Sequence, residues 1–105
     1  MKQRPQSPSK PQASADLDAL ATALCSLKTA ADVRAFLEDL CTPSELESMS
    51  DRWKVVPMLL QGGTYRDIHD RTGVSVTTVG RVARTIELGS GGYRKAAARL
   101  HRHQH

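Results

Sequence analysis

The 105-residue sequence predicts an all-α fold, a helical domain with a helix-turn-helix in its second half. Three observations carry that expectation. Apolar residues recur at i, i+3 and i+4 in successive stretches, divided by cap residues and glycines. TPSE, Thr42 to Glu45, joins a cap residue, a proline at the first helical position and a glutamate three beyond the cap, which is the pattern of a capping box. TGVS, Thr72 to Ser75, sets a glycine and a new cap between two such stretches; the second of them is rich in Val and Thr and looks strand-like by propensity alone.

Residues 1–13, MKQRPQSPSKPQA, hold three prolines and no periodic apolar residue, and read as a disordered basic arm. Residues 14–88 form the foldable part. Ser14 is the expected cap of a first helix, in which Leu17, Leu20, Ala21, Leu24 and Leu27 make an apolar face that ends near Lys28. Thr29 caps a second, with Val33, Phe36, Leu37 and Leu40 as its stripe and Arg34, Glu38 and Asp39 facing out. The third starts at TPSE and runs through Leu46, Met49, Trp53, Val56 and Leu60 to Gly62-Gly63. Pro57 removes a backbone donor inside it, so a kink or local unwinding is expected there. Thr64 caps YRDIHDR, with Ile68 inward. Residues 89–105 read as a glycine linker and a short basic helix expected to fray.

A helix capped by Ser75 resolves the conflict over VTTVGRVARTI. At 100° per residue, Val79, Val82, Ala83 and Ile86 share one arc of about 100°, the width of a core-facing stripe. Thr77, Gly80, Arg81 and Arg84 gather on the opposite side, with no carboxylate before Glu87. A strand would scatter both groups. Residues 64–88 then make a helix-turn-helix in which Gly73 supplies the positive φ of the tight turn. An ordinary helical hairpin is the bland alternative, but a merely structural surface helix usually intersperses acids with its arginines.

The face suits the major groove of double-stranded DNA. Val76, Thr77 and Gly80 are placed to meet base edges, where small side chains allow close approach and contact with a thymine methyl. Arg66, His69 and Arg84 are placed for phosphates, and Thr64 adds a hydroxyl. Overall charge says less: the tails carry seven basic residues and no acid, whereas residues 14–88 carry eight basic and eleven acidic ones. Specific binding therefore has to come from a local surface.

No apolar run long enough for a membrane span or signal peptide is present, so a cytoplasmic protein is expected. Cys25 and Cys41 fall on apolar sides of helical patterns and read as reduced, buried thiols. No catalytic constellation stands out, and no enzyme activity or cofactor is expected from the residues. HRHQH offers His101, His103 and His105, but alternate spacing on a helix does not bring them to one face, so no metal site is expected. A helical protein-interaction module without DNA binding is the competing class. A foldable part of roughly 75 residues is a marginal core alone, and a partner subunit would bury more of its apolar faces.

The stretch LCTPSELESMSDRWKVVPMLLQGGTYRDIHDRTGVSVTTVGRVAR resembles the Trp repressor superfamily, and TYRDIHDRTGVSVTTVGRVAR followed by GSGGY is similar to its YerC/YecD-type branch. The resemblance covers about Leu40 to Tyr93. It implies an intertwined homodimer, each subunit offering one helix-turn-helix, and a transcriptional regulator of the repressor kind. It also implies a ligand pocket for L-tryptophan or another small effector at Thr42, Arg52, Thr78, Arg81 and Thr85. Three departures bear on that pocket and its surroundings. Val82 stands where the pattern has glycine, Thr85 where it has serine, and Pro57 has no counterpart. The added methyls of Val82 are expected to narrow the slot, so a tryptophan-responsive repressor is the alternative to a regulator without effector.

Overall fold

The structure, a computed structural model, describes residues 7–103. Lys2 and Arg4 of the basic arm, and His105, lie outside them. Among the described residues there are six helices and no strand: α1 Lys10–Cys25, α2 Ala30–Leu40, α3 Pro43–Leu60, α4 Tyr65–Thr72, α5 Val76–Leu88 and α6 Gly92–His103. The Val- and Thr-rich stretch is helical. The chain divides into two compact units, Met1–Thr42 and Pro43–His105.

In the first unit, α1 begins before the expected cap Ser14 and takes in residues 10–13, which composition had assigned to the arm. Ser9 is the cap: its Oγ accepts from the Gln12 N–H at 3.2 Å. A proline in the first turn costs no hydrogen bond, so Ser9-Lys10-Pro11 is itself a start signal within a proline-rich segment. Thr29 caps α2 as expected, accepting from the Asp32 N–H at 3.1 Å. No residue of α1 or α2 is buried. Leu17 is 64% exposed and Leu40 51%. The expected burial of the cysteines is not found: Cys25 is exposed and Cys41 half-buried.

The second unit holds the core: Val55 and Val56 of α3, Ile68 of α4, Val74 of the turn, and Val79 and Val82 of α5. Burying each such side chain contributes about 1.5–3 kcal/mol relative to leaving it in water. Trp53, Met58, Leu59, Ile86, Tyr93 and Ala97 pack around these six. The stripe expected of α3 is divided. Only Val56 of it is buried, Val55 joins from the neighbouring position, and Met49 and Leu60 stay exposed. A helical wheel shows which residues share a side, not the side on which α4, α5 and α6 arrive.

The helix α3 continues through Pro57 to Leu60, so of the kink or local unwinding expected there the unwinding is not found. Pro57 lies in the last turn, and the bonds that close the helix do not need its missing N–H. Gly62 N–H donates to Leu59 O and Gly63 N–H to Met58 O, both at 3.0 Å, with Gly62 at φ 88°. These are the paired bonds of a Schellman end. The short basic helix α6 is twelve residues long, and Tyr93 and Ala97 dock it on the core, so the expectation of a frayed segment is replaced by a packed one. Among the described residues no helix is long and apolar enough to cross a membrane.

Candidate nucleic-acid interface

Two helices and a three-residue turn carry the site. At the start of α4, Thr64 Oγ1 accepts from the Asp67 N–H at 3.1 Å, so this hydroxyl caps the helix. At its end Gly73 is left-handed at φ 78°, and its N–H donates to His69 O at 2.8 Å. Thr72 Oγ1 donates to Ile68 O at 2.7 Å and accepts from the Val74 N–H at 3.1 Å. His69 Nδ1 lies 2.8 Å from Val74 O; a carbonyl only accepts, so this nitrogen carries the hydrogen. Ser75 Oγ accepts from the Thr78 N–H at 3.1 Å and caps α5. Local bonds thus occupy the polar groups of the turn, while Val74 is buried beneath it.

The turn delivers α5 with Val79 and Val82 buried and its other side open. Val76, Thr77, Arg81 and Arg84 are exposed, and Gly80 is half-buried. They line a shallow concavity of about 790 Å³ together with Tyr65, the first residue of α4. Of the residues expected at DNA, the structure groups Val76, Thr77, Gly80 and Arg84 in this concavity. Thr64, Arg66 and His69 lie at or on α4, outside its lining. Two of the three already serve the fold through the cap and the turn, and of the three only Arg66 is exposed without a local bond. Among the described residues Arg66, Arg81 and Arg84 form no ion pair, whereas Arg71 reaches Asp67 at 3.6 Å and Arg94 reaches Glu87 at 3.9 Å.

Tyr65 was not legible as a site residue. Its aromatic carbon Cε2 is 3.4 Å from where a Cβ on Gly80 would sit. Only the tertiary meeting of α4 and α5 puts that ring beside α5.

A second, smaller concavity of about 250 Å³ is lined by Arg52, Arg81, Val82, Thr85 and Tyr93. It gathers three residues of the expected ligand pocket. Thr78 instead holds the cap of α5, with Ser75 Oγ donating to its Oγ1 at 3.0 Å. Thr42 precedes α3 and belongs to the first unit. Thr85 Oγ1 donates to Arg81 O at 3.1 Å. Val82 is 1% exposed and belongs to the core, so the feature that sequence reasoning missed is Tyr93. Its ring meets that of Trp53 at a centroid separation of 6.4 Å. The volume falls below the roughly 300–1,000 Å³ usual for small-molecule sites.

The sequence matches the family model described as Trp repressor protein over residues 15–101. It is 38% identical over 85 residues to the protein YerC of Bacillus subtilis (strain 168), covering 81% of this chain and 82% of that one. A candidate Trp repressor from Staphylococcus aureus, solved by crystallography, aligns with a TM-score of 0.77 at 36% identity, covering 83% of this chain and 87% of the other. A TrpR-like protein from Eubacterium eligens aligns with a TM-score of 0.75 at 39% identity, covering 81% and 88% of the two chains.

Gly80 separates stability from recognition. A Cβ there would meet Tyr65 at an ordinary contact distance, so Gly80→Ala should stabilise α5 by about 0.5–1 kcal/mol through helix propensity. Thermal melts should show a midpoint raised by roughly 2–8 °C. Duplex affinity, measured by fluorescence anisotropy, should fall in the same variant. Unchanged affinity would remove Gly80 from the interface.

Proposed function

We propose that this chain, which belongs to the Trp repressor family, is a dimeric, sequence-specific, repressor-like DNA-binding regulator of transcription. One observation carries the reading. The side of α5 opposite Val79 and Val82 is open, small at Thr77 and Gly80, and bordered by Arg81 and Arg84. In this reading α5 enters the major groove, Val76, Thr77 and Gly80 meet base edges, and Arg84 and Arg66 hold phosphates. Thr64 and His69 add backbone contacts through whatever their local bonds leave free. In this reading the protein meets that duplex in the cytoplasm.

The direct test is selection of preferred duplexes from a random pool, followed by titration of the winner at several salt concentrations. Arg84→Ala should weaken all duplexes alike and lower the salt slope by about one, because it removes a counterion-releasing contact that reads no base. An unchanged slope would place Arg84 away from DNA. A protein-interaction module would show no salt-dependent preference among duplexes at all.

The dimer rests on α1 and α2, whose apolar sides the chain leaves unburied. A second copy that covers them would bury apolar area that a chain with a core of six residues lacks, and two copies would present two α5 helices to the two halves of an operator. Under reducing conditions the full chain should sediment as a dimer at micromolar concentration, and a chain without residues 1–41 as a monomer. A folded monomeric full-length protein would contradict this.

Tryptophan control is the second reading, favoured by Arg52 and Arg81 bordering one concavity. The Tyr93 ring at that concavity opposes it, since an indole would have to share the space. Calorimetry with L-tryptophan should therefore give no micromolar binding. Micromolar binding that also raises duplex affinity would make Arg52 and Arg81 ligand residues.

A further inference from the structure

Tyr65 is 44% exposed and Val76 48%, an aromatic ring and a branched aliphatic left in water. Both line the concavity that holds Gly80. The ring edge stands 3.4 Å from the Cβ position that Gly80 leaves empty. The result is a small apolar notch between the first turns of α4 and α5, with Thr77 beside it and Arg81 and Arg84 along its border.

We propose that Tyr65, Val76 and Gly80 form a receptor for the 5-methyl group of a thymine in the major groove; this rests on the DNA-binding reading above. The chemistry of the groove singles out that occupant. Base edges there present hydrogen-bond donors and acceptors, and the thymine methyl is their one apolar group. The ring carbons and methyls that wall the notch gain nothing from the polar base edges and desolvate them at a cost. The flanking hydroxyl and guanidiniums suit what surrounds a methyl in a duplex, namely polar edges and phosphates. Gly80 sets the depth, because any Cβ would lie against the ring and raise the floor. Tyr65 and Val76 supply the walls.

The test uses the full-length protein and the duplex that selection yields, with each thymine replaced in turn by deoxyuridine. This exchange removes the methyl and leaves every hydrogen-bonding group in place. One thymine per half-site should show about a fourfold loss, the worth of one buried methyl, rising toward tenfold if packing on the ring adds to it. Tyr65→Ala should bring the thymine-to-uracil ratio at that position close to one, and Tyr65→Phe should keep it, since the ring and not the hydroxyl makes the wall. Retained salt-dependent binding with a ratio near one at every thymine would overturn the notch while leaving the regulator reading intact. A ratio unaffected by Tyr65→Ala, or lost equally in Tyr65→Phe, would also overturn it. Absence of any salt-dependent duplex binding would overturn both.

Discussion

The burial of Val79 and Val82 on one side of α5 is the constraint on which the rest of the structure depends. Neither is more than 1% exposed. Valine and threonine are poor helix formers because branching at Cβ restricts χ1 against the preceding turn, so VTTVGRVARTI gains little from intrinsic propensity. Its helicity comes from the Ser75 cap and from docking on Val55, Val56, Ile68 and Val74. The same stiffness is useful once the helix is docked. Few rotamers remain to blur the position of α5, and the opposite side is left free of packing duties.

The turn gives that docking a direction. Gly73 takes the left-handed conformation, and Thr72, His69 and Ser75 satisfy the neighbouring backbone and cap groups. A buried valine then pins the centre of the turn. Polar closure and apolar anchoring thus act on three consecutive residues, so α4 and α5 behave as one rigid unit. Recognition of a groove by a helix needs that rigidity, because each degree of freedom left in the helix would be lost on binding. At the far end of α5, Arg94 Nε donates to Ile86 O at 3.4 Å and Tyr93 packs near Trp53, so α6 braces α5.

What the sequence disclosed and what it concealed follow from the range of the interactions involved. Thr29, Thr64 and Ser75 as caps, and Gly62 and Gly73 as helix ends, were legible because each depends on residues within one turn of chain. So was the face of Thr77, Gly80, Arg81 and Arg84, since helical period alone separates it from the valines. Ser9 was hidden by a composition that looks disordered, although Pro11 favours a helix start. The burial of Val55 and the exposure of Met49 and Cys25 depend on where other helices arrive. Tyr65 beside Gly80, and Tyr93 beside Arg52 and Arg81, were concealed for the same reason. The site is therefore readable as one helix face, while the walls contributed by other helices appear only in three dimensions.

The open side of α5 is the surface we propose to meet DNA. Amide chemical-shift mapping of the isotope-labelled protein, titrated with its selected duplex, tests it most directly. The largest changes should fall on Val76, Thr77, Gly80 and Arg84, with Tyr65 among them and Val79 and Val82 following only weakly. Changes confined to α1 and α2, or to the basic residues of α6 such as Lys95, Arg99 and Arg102, would contradict it.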